Sequence, residues 1–217
     1  MEEVRGEKKG AEDQEEVICL KDSGNDGIQD VRRRRQRQMC IGDSMLYALT
    51  WQSTNGFLPT FLQAEKGFSV ALASTGFAVL FAVGMTVKPI SGALGDRIGR
   101  TTVAVGSLLL GLLGLVGLLL AEHTALIFGG IVVFSAGLMS FPPVMQAYLM
   151  DLFPDESMGG DLGGMRTLYI GVGSLGPTYV GYVGGAANYT VAFAGLTACL
   201  LGGASIVAAY ELRYRDR

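Results

Sequence analysis

The chain has 217 residues, is 49% hydrophobic and only 17% charged, and carries a formal net charge of −3. Nearly all of the charge lies in the first forty positions or in a few short turns, the distribution of a membrane protein, and no stretch is left for a large soluble domain. The net charge is a small difference between separated blocks and gives no ground for nucleic-acid binding. The three cysteines, Cys19, Cys40 and Cys199, show no metal spacing and read as free thiols, so neither a metal nor a cofactor is expected.

From Met1 to Asp30 acids outnumber bases ten to four, and residues 1–40 read as a polar, disordered tail or linker with no apolar signal-peptide core. The run VRRRRQRQ follows, with Arg32, Arg33, Arg34, Arg35 and Arg37 placed just before the first apolar stretch, and it reads as a cytoplasmic anchor beside anionic headgroups. A spanning helix needs about 20 mostly apolar residues, and residues 41–212 have room for six, leaving a short basic tail at 213–217.

The first segment, Ile41 to Gln63, holds Trp51, Gln52 and Asn55 at mid depth, with Pro59 as a kink near the far end. Two readings of the amides are open at this point: glue between helices through hydrogen bonds, or the wall of a water-filled path. Glu65 and Lys66 make a turn, and the second segment, Ser69 to Ser91, carries Lys88 and Pro89 near its end, where Lys88 reads as a snorkelling interface residue. The polar stretch GALGDRIGR, Gly92 to Arg100, is expected to be the connecting turn. Its glycines permit sharp reversal, and Asp96 and Arg100 stand one helical turn apart, close enough to pair.

The third segment, Thr101 to Ala121, is Leu, Val and Gly, with Gly106, Gly111, Gly114 and Gly117 offering close helix approach. The fourth, Ala125 to Met150, has Pro142 and Pro143 in its middle and Gln146 and Tyr148 beyond. Two prolines free backbone carbonyls, and in a membrane such a break points to a polar site or to a kink packed on its neighbours. A loop from Asp151 to Arg166 leads to the fifth segment, Met165 to Gly185, and the sixth, Thr190 to Tyr210. Arginines cluster on one side of this arrangement while the opposite turns carry only Lys66, which predicts cytoplasmic termini.

Three motifs are set aside. Gly171, Gly173 and Gly176 have dinucleotide-loop spacing, but they lie in an apolar span with no preceding strand. Asn188, Tyr189 and Thr190 form a glycosylation sequon in a turn too short to hold a sugar clear of the membrane. The one histidine, His123, falls in a turn, which excludes a serine and histidine pair inside the bilayer.

Gly92, Leu94, Asp96, Arg97, Gly99 and Arg100 fit the pattern G-x-L-x-D-R-x-G-R, and the segment resembles the signature loop of the major facilitator superfamily, with Thr101 departing from the following basic position. The resemblance covers about Ile41 to Leu212 and corresponds to the C-terminal six-helix half. It implies an all-α integral membrane protein with six transmembrane helices, half of a bundle of 3+3 inverted repeats, and it makes the polar segment before it similar to the linker between halves.

In that family the first and fourth helices of each half line the central cavity. The resemblance therefore makes Trp51, Gln52, Asn55, Gln146 and Tyr148, with Tyr169 and Tyr179 as further candidates, the substrate path. It also makes Gly92, Asp96, Arg97, Gly99 and Arg100 a conformational latch. What it implies is a multi-pass protein of the cell membrane, not an enzyme. Such a protein moves a small-molecule substrate across the lipid bilayer by alternating access together with a second six-helix half, supplied by a separate chain or a homodimer. The contrasting expectation is a non-transporting membrane interaction protein or a remnant of a split transporter gene.

Overall fold

The computed structural model describes residues 41–152 and 158–215, which are helical or in short turns, with no strand among them. The polar tail expected at 1–40, the acids Asp155 and Glu156 and the last two residues lie outside this range. Seven helices follow one another: α1 (41–64), α2 (Val70–Ile98), α3 (Arg100–Leu120), α4 (Thr124–Leu152), α5 (Met158–Gly173), α6 (Leu175–Ala186) and α7 (Tyr189–Arg215). Four of them, α2, α3, α4 and α7, are long and apolar enough to cross a membrane. α1 is interrupted by Asp43, Ser44, Thr50, Gln52, Ser53 and Asn55 and is not among the four, and α5 and α6, at 16 and 12 residues, are each too short.

Four boundaries differ from expectation. The predicted fifth span is two helices, because Pro177 has no N–H to offer the Gly173 carbonyl and the chain turns once at Ser174. The first of these, α5, begins at Met158, inside the stretch expected to be loop. The second helix does not stop at Ser91: α2 runs through Gly92 and Gly95 to Ile98, and the reversal is confined to Gly99, whose φ of 101° belongs to glycine.

The fourth boundary is that of α7, which continues past Leu212 to Arg215, where basic residues suit a helix C-terminus.

α3 and α4 form the tightest contact. Their antiparallel register sets Leu118 against Gly130, Gly114 against Phe134 and Gly111 against Gly137. A Cβ on Gly114 would stand 2.1 Å from the Phe134 amide nitrogen, and one on Gly137 would stand 2.0 Å from that of Gly111. Gly106 and Gly117, also expected to be contact glycines, face open space. Glycines serve the remaining packing too: Gly173 and Gly176 sit on Ala48, Leu49 and Ser53 of α1, and Gly203 of α7 lies against the buried carboxyl of Asp43. That carboxyl has no hydrogen-bond partner among the described residues. Phe61 of α1 stacks on Phe193 of α7 at 4.6 Å, and the Ser135 hydroxyl of α4 donates to the Leu80 carbonyl of α2.

The Glu65–Lys66 turn fastens two helix ends. Lys66 Nζ donates to the carbonyls of Leu119 and Ala121 at 2.8 Å each, closing the C-terminus of α3, while Glu65 accepts from the Tyr189 amide at 2.8 Å and from the Thr190 hydroxyl at 3.2 Å at the start of α7. Burial draws the Lys66 ammonium below its ordinary pKa, with Glu122 and Glu65 opposing the shift. Asn188 of the sequon is engaged as well, accepting from the Val191 amide at 2.8 Å as a helix cap. Glu65→Ala should remove the carboxylate cap and lower stability by about 1 kcal/mol, read as a lower apparent Tm in detergent, with Gln63→Ala as the neutral exposed control.

Candidate functional site

A cavity of about 450 Å³ opens between α1, α2, α4 and α5. Trp51 and Gln52 reach it from α1, Gln146 from α4 and Tyr169 from α5, so it gathers four of the seven residues singled out in the sequence. A smaller cavity of about 100 Å³ shares Gln146, Arg166 and Tyr169 with it. The other three candidates lie elsewhere. Asn55 is half-buried about one turn further along α1, Tyr148 packs against the core, and the Tyr179 hydroxyl lies against Gly195 of α7.

Local structure sets the walls. Trp51 meets Phe81 of α2 edge to face, with ring centroids 5.9 Å apart, and Tyr47 stacks on Phe141 of α4 at 4.8 Å, which fixes two large rings of α1 toward the cavity. α4 stays helical through Pro142 and Pro143, but the two prolines withhold the N–H groups that the carbonyls of Leu138 and Met139 would otherwise receive. Pro142, Pro143 and Met139 all line the cavity, so the weakened stretch of α4 faces the polar space. Gln146 follows one turn after Pro142. Arg166, Tyr169 and Ile170 stand at i, i+3 and i+4, which puts them on one face of α5.

Two lining residues, Lys88 and Arg166, were not anticipated. Lys88 reads as an interfacial residue only if α2 ends near Ser91. With the helix running to Ile98, Lys88 lies ten residues, roughly 15 Å, from its end. Arg166, expected at the end of a loop, stands in the third turn of α5. The sequence signal for both was the helix-compatible run on either side: Gly92 and Gly95 need no turn, and MGGDLGGMR carries no proline. No carboxylate lines the cavity among the described residues.

The signature segment lies close by. Arg100, the first residue of α3, donates to Asp96 of α2 at 3.2 Å, to the Asp151 carboxylate and to the Ala147 carbonyl of α4, so one guanidinium joins three helices. Gly95 is buried at this corner, with the position of a Cβ 3.5 Å from Val144 of α4. Gly92 faces open space, and Arg97 is exposed.

Residues 44–216 match the sequence profile of the Major Facilitator Superfamily. The chain belongs to this superfamily. Solved structures with the same fold include a peptide transporter POT in complex with sulfate (TM-score 0.72, 18% identity, covering 80% of this chain and 37% of that one). They also include the POT family transporter PepTSo (0.73, 17%, 83% and 38%) and tetrameric PepTSo2 (0.69, 15%, 82% and 40%). At these identities the likeness is one of fold, and this major facilitator chain spans about two fifths of the length of the transporters it matches. No curated protein matches the sequence. Superfamily membership and the four apolar helices make it a multi-pass membrane protein of a transporter family.

Proposed function

We propose that this major facilitator chain is one half of a secondary transporter that moves a small solute by alternating access, with the cavity of Trp51, Gln52, Gln146 and Tyr169 as one wall of the solute path. The observation that carries the reading is the cavity itself. A space of about 450 Å³, within the size range of small-molecule sites, combines aromatic rings, two amides and a proline-weakened helix, and it opens to the surface. The chain spans about two fifths of the transporters it matches, and the reading requires a second six-helix half to complete the opposite wall. In the same reading α1–α3 and α4–α7 are two inverted repeats. The corner of Asp96, Arg97, Gly99 and Arg100 latches one of the two conformations, and both termini lie in the cytoplasm of a cell whose plasma membrane holds the protein.

Native mass spectrometry of the complex, extracted gently from its own membrane, tests this. The expected result is a stoichiometric assembly of this chain with a second six-helix half or with its own copy, active in proteoliposome flux and inactivated at least about tenfold by Gln146→Ala. A chain recovered only as a monomer would end the transport reading and leave a membrane protein without a second cavity wall.

A further inference from the structure

The charge of the cavity is one-sided. Lys88 from α2 and Arg166 from α5 line it from different helices, together with the amides of Gln52 and Gln146 and the rings of Trp51, Tyr47 and Tyr169, and no Asp or Glu among the described residues joins them. Asp96 and Asp151 are both bound by Arg100, Asp43 of α1 is buried against Gly203 of α7, and none of the three is in the cavity lining. Charge in a membrane-embedded space is costly unless it meets a counter-charge. Two cations on this wall, with no carboxylate beside them among the described residues, favour an anionic group in what enters. Arg166 presents a planar fork that suits a carboxylate or phosphate bidentately, and Lys88 adds a flexible point charge.

We infer that the solute taken by this cavity is a small organic anion, its carboxylate or phosphate group held between Lys88 and Arg166 and its uncharged part lying against Trp51 and Tyr47, with Gln52 and Gln146 serving its hydrogen-bonding groups. The inference rests on the transport reading of the same cavity and adds the charge of the solute to it. A cation is rejected by the same two side chains. A neutral solute of the same shape loses the charge-assisted hydrogen bonds, and one such bond changes affinity by roughly tenfold or more.

Trp51 is the only tryptophan in the chain, so its emission reports occupancy of this cavity without a label. The full chain in lipid nanodiscs, in whatever assembly it forms, is titrated at constant ionic strength with cyclohexanecarboxylate, with the matching neutral amide and with cyclohexylammonium. A saturable change in Trp51 emission is expected with the carboxylate, at a concentration roughly tenfold or more below that needed for the amide, and none with the ammonium.

Lys88→Gln and Arg166→Gln should each weaken the carboxylate response by about tenfold or more, whereas Lys88→Arg, which keeps the charge, should retain most of it. Both Gln variants alter exposed side chains, and an unchanged helical circular dichroism spectrum verifies their fold. A saturable response to the ammonium, or to amide and carboxylate alike, overturns the anion inference while leaving a solute cavity in place. A carboxylate response that persists unchanged in both Gln variants overturns it as well. Silence of Trp51 toward all three probes overturns the inference together with the solute-path reading beneath it.

Discussion

Gly137→Ala and Gly114→Ala should each cost the folded bundle about 3 kcal/mol or more, the upper end of what overpacking a close contact costs. A methyl at Gly137 would meet the backbone nitrogen of Gly111 at 2.0 Å and the Ser107 carbonyl oxygen at 2.6 Å, and one at Gly114 would meet the amide nitrogen and Cα of Phe134 at 2.1 and 2.4 Å. These are backbone atoms of an intact helix. No side-chain rotation relieves the contact, so α3 and α4 must separate along the whole seam, taking Leu108, Leu115, Leu118 and Phe134 out of their packed positions. Lipid tails are as apolar as leucine and give no force that would hold the separated helices together, which leaves the membrane protein more sensitive to lost packing than a soluble one.

Gly106→Ala and Gly117→Ala are the matched controls. Both positions lie in the same helix and face open space, so the expected change is neutral or slightly stabilising through helix propensity. Thermal unfolding in detergent, followed by Trp51 emission, should separate the two pairs by many degrees. Equal effects from all four substitutions would show that the seam does not hold the bundle.

How far the sequence could be read depended on what each residue had to do. Apolar runs bounded by charge located α2, α3, α4 and α7 because lipid demands unbroken apolar length, and no other arrangement satisfies that demand. The amides of α1 left two readings open, helix glue or a polar path, since polar groups at depth need a polar neighbour of either kind, and Trp51 and Gln52 border the cavity. Glycine was the ambiguous letter. Gly92, Gly95 and Gly99 look alike in a row of residues, yet only Gly99 has positive φ, Gly95 is a packing position and Gly92 is an ordinary helix residue.

That ambiguity propagated. A helix that ends at Ser91 places Lys88 at the interface, whereas α2 running to Ile98 sets it in the cavity lining, and a loop over MGGDLGGMR likewise conceals Arg166. The Glu65–Lys66 turn was seen, but its fastening of α3 to α7 depends on contacts 53 to 125 residues away in sequence, which no local pattern carries.

Gly99→Ala should be the second severe substitution, and it isolates the α2–α3 reversal from the glycines around it. At φ 101° and ψ 133° an L side chain is strained wherever it points, even though the space itself is free: the nearest atom to an added Cβ is the Thr102 hydroxyl at 3.7 Å. The cost is therefore conformational, on the order of 1–3 kcal/mol, and it is relieved only by reshaping the one-residue turn. Reshaping moves Arg100, the next residue, whose guanidinium holds Asp96, Asp151 and the Ala147 carbonyl together.

Two readouts follow from that geometry. Stability falls, and amide exchange rises at the facing ends of α3 and α4 around Arg100, Ala147 and Asp151. Arg100→Lys should reproduce the faster exchange with a loss of stability of at most about 1 kcal/mol, because the carboxylates it releases are largely solvated and surface pairs contribute little. Gly92→Ala, seven residues earlier in the same signature, should instead stabilise α2 by up to about 1 kcal/mol, since the position is helical and nothing lies within 4 Å of its added methyl. Opposite signs at Gly92 and Gly99 would establish that the reversal is carried by a single glycine. A destabilised Gly92→Ala would show that residues 92–98 unwind in the working protein and that α2 ends earlier than its static form.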